Sequence, residues 1–185
     1  MAESFPRFAK SVTLALVLAG GGIVFSSANA ASKTAKRASL SEIETAAIKI
    51  ACEDLSEQYA YYLDGKDYEN LATLFTEDGV WEVLGNRMPG REAIRAYWKS
   101  RSEAWAPGYG RVHQMTNQVV KVVDRDHAIG QSVIMVHMFN NPSTEKQSLA
   151  PTVISRNDDE YVRTKDGWKF KRRSISTLAM EEPRH

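Results

Sequence analysis

Apolar residues after residue 40 recur at three- and four-residue intervals, which is the spacing of one helix face. In the first such stretch the face consists of Ile48, Cys52, Leu55, Tyr59 and Tyr62. Ser41 stands three residues before Glu44, which is typical of a capping box at a helix N-terminus. The pattern predicts a first helix over residues 41–63, with Gly65 as a left-handed cap after it.

The next segment mixes helical and strand signals. Residues 67–75 and 90–101 repeat the helical spacing, so the sequence predicts two further helices there. Between them, residues 76–79 indicate a turn, and residues 80–84 are rich in the β-branched and aromatic residues of a strand.

From residue 111 onward the pattern changes to alternation. Four strands are predicted, over residues 111–123, 127–139, 152–163 and 168–177. Lys165, Asp166 and Gly167 provide a hairpin turn before the last strand. Helices followed by antiparallel strands indicate an α+β fold, with the sheet wrapped over the helices.

Alternation also predicts which side chains share a face of the sheet. The predicted sets are His113, Met115, Asn117 and Val119 in the first strand; Gln131, Val133, Met135, His137 and Phe139 in the second; and Trp168, Phe170, Arg172 and Ser174 in the last. Each set mixes large apolar residues with one or two polar ones. Because unpartnered buried polar groups are costly, this composition favours a pocket lining over a dry core.

The N-terminus has the composition of an export signal. Arg7 and Lys10 precede an apolar run that ends in small residues of the Ala-x-Ala type at Ala30. We expect residues 1–30 to be a signal peptide, residues 31–40 a disordered leader, residues 41–180 the folded domain and residues 181–185 a tail. The mature protein would be periplasmic or secreted and would have no membrane attachment; the alternative is an uncleaved N-terminal anchor.

Composition excludes several classes of function. Lysine and arginine number 24 against 23 aspartates and glutamates, so net charge indicates no nucleic-acid partner. The four histidines form no three-ligand pattern, and the chain has no glycine-rich phosphate loop after a strand. We therefore expect neither a metal nor another cofactor. The single cysteine, Cys52, is predicted to pack in the core.

Asp64 stands at the end of the first predicted helix, where a carboxylate opposes the helix dipole. It is either a solvated end residue or a functional one. With Asp64, four segments make the chain resemble the SnoaL-like branch of the nuclear-transport-factor-2-like superfamily. These segments are Leu74–Trp81, Gly90–Arg95, Arg111–Asn117 and Asp166–Phe170. This resemblance extends over residues 43–177 and implies a conical cavity formed by a curved antiparallel sheet around N-terminal helices.

Within that branch the sequence is similar to cofactor-independent dehydratases and related lyases. The resemblance implies that Asp64 and His113 are catalytic, that Tyr59 is a catalytic tyrosine, and that His137 is a second cavity histidine. It also matches Arg172 to a basic residue in the last strand of some members. The residues that we expect to bind substrate are Tyr62, Trp81, Met115, Asn117, Val133, Met135, Phe170 and Arg172.

An imidazole oriented by a carboxylate is a suitable general base near neutral pH, and a phenol could donate to a developing oxyanion. These residues predict a lyase, dehydratase or isomerase that acts on a small hydrophobic, cyclic, hydroxylated carbonyl compound. The alternatives are an exported binding protein for an apolar molecule and a non-catalytic partner subunit. The exposed outer face of such a sheet predicts a homodimer or homotrimer.

Overall fold

The structure is a computed structural model that describes residues 39–105, 107–140 and 150–180. The predicted signal peptide and C-terminal tail lie outside these ranges, as does the predicted leader up to residue 38. Within the described ranges, no helix is both long enough and apolar enough to cross a membrane. The elements are α1 (Glu42–Asp64), α2 (Tyr68–Thr73), β1 (Phe75–Val83), β2 (Asn86–Pro89), α3 (Gly90–Glu103), β3 (Tyr109–Val122), β4 (His127–Asn140), β5 (Val153–Thr164) and β6 (Gly167–Met180).

Helix α1 begins as predicted but ends differently. The Ser41 hydroxyl accepts from the Glu44 backbone N–H, and the Glu44 carboxylate accepts from the Ser41 backbone N–H at 2.8 Å, so the capping box is confirmed. Gly65 has a φ of −72° and donates to Tyr61 O at 3.0 Å, which continues the right-handed turn. The left-handed conformation falls on Lys66, with a φ of 58°. The prediction for Gly65 is wrong because the reversal comes one residue later.

The segment predicted as a turn at residues 76–79 is instead part of β1. Phe75 pairs with Phe170, and the register shifts between Phe75 and Val80. A Cβ at Gly79 would lie 2.9 Å from the Phe75 Cβ and 3.0 Å from Phe170 O. Gly79 therefore marks a close contact at a strand irregularity, a role that glycine shares with turn positions.

The six strands of the described chain form one curved, open sheet in the order β2-β1-β6-β5-β4-β3. The β1–β6 pair is parallel and the other neighbouring pairs are antiparallel. Helix α1 packs against β3, and α3 packs against β1. This arrangement confirms the predicted α+β fold, in which a curved sheet follows N-terminal helices and wraps around them.

A bulge in β3 changes which residues face inward. Asn117 has a φ of 49°, and the pairing with β4 shifts between Thr116 and Val119. Val119 is consequently 66% exposed, whereas Val120 is buried. The predicted placement of Val119 on the face of His113 is wrong, because an extra residue in a strand inverts the alternation beyond it.

A second bulge lies in β6. Phe170 pairs with Tyr161 and Arg172 pairs with Glu160, which leaves one unmatched residue between Phe170 and Arg172. The inward-facing position therefore passes from Arg172 to Arg173, which is fully buried. Phe170 and Arg172 were predicted to share a face, and the bulge separates them.

A buried ion pair connects α1 to the inner face of the sheet. Arg173 donates to both oxygens of Asp159 at 2.8 Å and also to the Ser56 hydroxyl. The side chains of Arg173 and Asp159 are only 0% and 1% exposed. Cys52 is fully buried on the same helix, and burial raises the pKa of its thiol to about 12. Its predicted place in the core is confirmed.

Candidate active site

Asp64 and His113 meet where the C-terminus of α1 contacts β3. The Asp64 Oδ2 accepts a hydrogen bond from the His113 backbone N–H at 2.8 Å, and Oδ1 accepts one from the His113 ring at Nδ1. Because a carboxylate can only accept, the ring proton lies on Nδ1 and the lone pair lies on Nε2. Two N–H donors from β3 thus compensate the unfavourable position of the carboxylate at the helix end.

Burial favours the neutral form of the His113 imidazole. Burial lowers the pKa of His113, whose side chain is 7% exposed. The hydrogen bond and charge of Asp64 act in the opposite direction, while the charge of Arg111 adds to the lowering. The resulting pKa lies below the ordinary value of about 6.5, so Nε2 can accept a proton.

Arg111 lies beside this pair. Its guanidinium carbon is 4.5 Å from the ring centre of Trp98 and 4.4 Å from that of Trp105. Its Nη2 donates to Leu63 O at 3.1 Å, and its Nε is 4.0 Å from Asp64 Oδ1, too far for a hydrogen bond. Burial lowers the pKa of Arg111, but an arginine side chain stays charged in proteins. A fixed cation therefore lies behind the His113–Asp64 pair.

His113 and Arg111 belong to the wall of a pocket of about 360 Å³ between the helices and the inner face of the sheet. Pockets of about 300–1,000 Å³ hold small organic ligands. Its lining is mainly apolar, and its aromatic members are Tyr59, Trp81, Trp98, Trp105 and Tyr109. Burial raises the pKa of Tyr59 to about 12, with Arg173 and Arg111 acting against that rise. The Tyr59 hydroxyl is therefore protonated at pH 7 and can donate a hydrogen bond.

Three residues of β4 that were predicted for the site lie on the other face of the sheet. Val133, Met135 and His137 alternate with Ile134 and Val136, and it is the latter two that line the pocket. His137 Nε2 instead contacts Gln114 Oε1 at 3.0 Å on the outer face. The predicted roles of these residues in the pocket are corrected, because β4 carries apolar residues on both faces and alternation alone does not tell which face is inner.

Arg172 also lies outside the pocket. It donates to Glu82 at 2.6 Å and lies 3.6 Å from Glu160. A separate depression of about 310 Å³ on the outer face includes Arg172 and has a lining rich in exposed charged side chains, without His113. We assign the functional site to the inner pocket because it contains the His113 ring.

The remaining predicted binding residues divide between wall and core. Trp81 lines the pocket, whereas Phe170 is completely buried in the core beneath it. Tyr62 and Met115 are half-buried and pack against the core cluster without lining the pocket. Asn117 is exposed at the β3 bulge. Of these residues, only Trp81 is placed to touch a molecule in the pocket as the structure stands.

Comparison with known protein families shows which family the chain belongs to. Residues 44–174 match the SnoaL-like domain. The chain belongs to this family. No curated protein matches the chain significantly.

Several solved structures have the same fold as this SnoaL-like domain. A candidate scytalone dehydratase from Novosphingobium aromaticivorans is 24% identical, with a TM-score of 0.63 over 77% of this chain and 92% of its own. An NTF2-like protein with a cystatin-like fold from the same species is 26% identical, with a TM-score of 0.62 over 76% and 88%. A hexachlorocyclohexane dehydrochlorinase is 18% identical, with a TM-score of 0.62 over 76% and 92%. The neighbours at 24% and 18% identity establish the fold alone.

Sequence reasoning did not assign Arg111 to the site of this SnoaL-like domain. The signal was nevertheless present, because Arg111 precedes His113 by two residues and alternation places both on one face. Trp98 lies in the pocket wall, where its ring contacts the Arg111 guanidinium. Trp105 follows α3 and contacts Arg111 through the fold alone, so no local pattern could have identified it. Within the described residues, no group of three or more His, Cys, Asp and Glu side chains could hold a metal ion.

Proposed function

We propose that the protein is a cofactor-independent lyase of the dehydratase type, which removes water from a small, hydrophobic, cyclic hydroxy-carbonyl compound. The observation that carries this proposal is the contact between Asp64 Oδ1 and His113 Nδ1 beside a largely apolar pocket. It fixes the ring tautomer with the basic Nε2 available, as a general base requires.

In the proposed reaction, His113 Nε2 takes the proton from the carbon next to the substrate carbonyl. The C–H electron pair forms an enolate, whose oxygen the Tyr59 hydroxyl stabilises by donating a hydrogen bond. The C–O bond at the neighbouring carbon then breaks, and the imidazolium returns its proton to the leaving hydroxyl as water. His113 thus acts as both base and acid, since His137 faces away from the pocket.

The environment supports this cycle at neutral pH. A His113 pKa below its ordinary value keeps the base unprotonated before reaction. Once protonated, the ring is stabilised by the Asp64 carboxylate, which already accepts the Nδ1 hydrogen bond. The low exposure of His113 strengthens both effects, because electrostatic interactions weaken in water.

The test is a water-loss screen of hydroxylated steroids, terpenoids and aromatic polyketides, in which wild type is compared with Asp64→Asn and His113→Ala. Asp124→Asn is the matched control, since Asp124 contacts the exposed His127 Nδ1 at 2.9 Å away from the pocket. We expect turnover in wild type and the control and its loss in the two site variants. Equal turnover in all four proteins would refute the proposed base, and ligand retention without turnover would favour a binding protein.

Export and self-association are further proposals. The N-terminal composition supports a secreted or periplasmic location, which signal-peptide cleavage in a bacterial host would test by N-terminal sequencing. The outer face of the sheet supports a homodimer or homotrimer, because it exposes Val112, Val119 and Ile129. Light scattering during size-exclusion chromatography would distinguish these assemblies from a monomer.

A further inference from the structure

Arg111 carries a buried charge without a hydrogen-bonded carboxylate among the described residues. Its residue surface is 8% exposed, and its neighbour Asp64 uses one oxygen for each of the two N–H groups of His113. The hydrogen bond that the structure gives the guanidinium goes from Nη2 to Leu63 O. The Asp64 carboxylate lies 4.0 Å from the Arg111 Nε and already accepts from two His113 donors, so it compensates the buried charge without a hydrogen bond. Because a buried cation is costly unless it is both paired and hydrogen-bonded, the position of Arg111 favours a further anionic partner.

Three buried donors of the pocket wall also lack acceptors within the described chain. They are the Nε of Arg111 and the indole Nε1 groups of Trp81 and Trp98. Buried donors of this kind normally have partners, and an unpartnered one in a native structure requires an explanation. A ligand rich in acceptor oxygens, bound in the pocket beside His113, would supply the missing acceptors.

The charged groups of the pocket have one sign. Among its described lining residues, Arg101 and Arg111 are cationic, and none is Asp or Glu. Arg101 is exposed on α3, whereas Arg111 is held inside against Trp98 and Trp105. Exposed charge steers an approaching ion, and a buried guanidinium can bind a carboxylate in a fixed orientation.

We propose that the substrate carries an ionised carboxylate on its ring system and that Arg111 anchors this group. The inference rests on the proposed function, because it takes the pocket beside His113 as the substrate site. Alternate residues of a strand lie roughly 7 Å apart, so the anchored acid group and the C–H bond facing His113 would occupy different ends of a ring-sized molecule. Arg111 then selects among the cyclic compounds that the apolar wall admits.

The experiment measures binding of 2-naphthoate and of its neutral counterpart 2-naphthamide by calorimetry at pH 7.5. We expect wild type to bind the carboxylate at least tenfold more tightly than the amide. Arg111→Gln should reduce that ratio to near one, and Arg111→Lys should retain part of it. Arg125→Gln is the control for general surface charge, because Arg125 is 45% exposed and pairs with Glu44 away from the pocket. It should change the ratio less than twofold at physiological salt, which screens exposed charges.

Equal binding of both probes by wild type, or no binding of either, would overturn the proposal. A preserved ratio in Arg111→Gln would also overturn it, provided that circular dichroism shows native folding. His113→Gln separates this result from the proposed chemistry, since it removes the base and leaves Arg111 in place. We expect it to keep the carboxylate preference even though it abolishes turnover, so the two proposals can fail independently.

Discussion

The substitution Asp64→Asn should reverse the tautomer of His113. In the wild-type protein both carboxylate oxygens face donors, namely the His113 backbone N–H and the ring Nδ1–H. An asparagine side chain offers one acceptor and one donor group. Because the backbone N–H cannot change, the amide oxygen must serve it, and the amide NH₂ must then face Nδ1. The ring can meet that donor only by moving its proton to Nε2, which removes the base from the pocket.

These contacts also set the expected tautomer population and the expected loss of kcat. A hydrogen bond to a charged group contributes about 1.5–3 kcal/mol, enough to hold more than about 90% of the wild-type ring in the Nδ1–H form. General-base catalysis typically contributes about 10²–10⁴-fold, or roughly 3–5 kcal/mol of barrier. Asp64→Asn should lower kcat by this factor, and combining it with His113→Gln should add little, because the pair acts as a unit.

The tautomer can be measured without knowing the substrate. Long-range ¹H–¹⁵N NMR of histidine-labelled protein distinguishes protonated from unprotonated ring nitrogens, and His113→Gln would assign the His113 signals among the four histidines. We expect Nδ1–H in wild type and Nε2–H in Asp64→Asn, with Asp124→Asn leaving the His113 signals unchanged. A wild-type ring already protonated on Nε2, or an Asp64→Asn ring still protonated on Nδ1, would refute the argument.

Three other predictions test the same structure. The folded-state pKa of His113 is below its unfolded value, so the unfolded chain binds more protons at pH values between the two. The stability that this group contributes is complete above about pH 6.5 and is lost as pH falls through the folded pKa. His113→Gln should reduce this loss of unfolding free energy at acid pH, as measured by urea unfolding. Arg173→Met should cost about 3–5 kcal/mol of unfolding free energy, because it leaves Asp159 charged and buried. The control, Arg172→Met at the neighbouring position, should cost at most about 1 kcal/mol. Equal costs of the two substitutions in chemical denaturation would contradict the assignment of the buried pair. Gly79→Ala should destabilise by about 1–3 kcal/mol, since its Cβ would meet the Phe75 side chain and two backbone oxygens, and an unchanged Tm would rule out this crowding.

The sequence predicted what depends on short-range pattern. The capping box at Ser41 and the buried face of α1 follow from fixed spacings, and both are present. Asp64 attracted notice through a local conflict with the helix dipole, and the structure brings it to His113. The α+β order of helices and then strands was also readable, because the two classes have different hydrophobic periods.

Face assignments in the sheet failed wherever the alternation changed or was ambiguous. The bulges near Asn117 and between Phe170 and Arg172 shift the count by one residue. Asn117 tolerates the left-handed conformation that it adopts, but a single asparagine within a strand pattern does not locate a bulge, and Lys171 gives no signal at the second one. In β4, both the face that carries His137 and the inner face contain large apolar residues, so the pattern gave no direction. Arg111 was overlooked because a charged residue between apolar strand positions usually marks solvent, whereas here two distant tryptophans cover it.

The reactivity of the single thiol, Cys52, can be used to measure how often the folded protein opens. Nothing else in the sequence can react with a thiol-specific reagent, and this sulfur is sealed beneath the helix that ends in Asp64. Labelling therefore requires local or global opening that exposes Cys52, so the labelling rate in native buffer reports how often such opening occurs. A guest molecule that slows the reaction would reveal its binding even if it were never transformed, which gives a way to find the natural ligand.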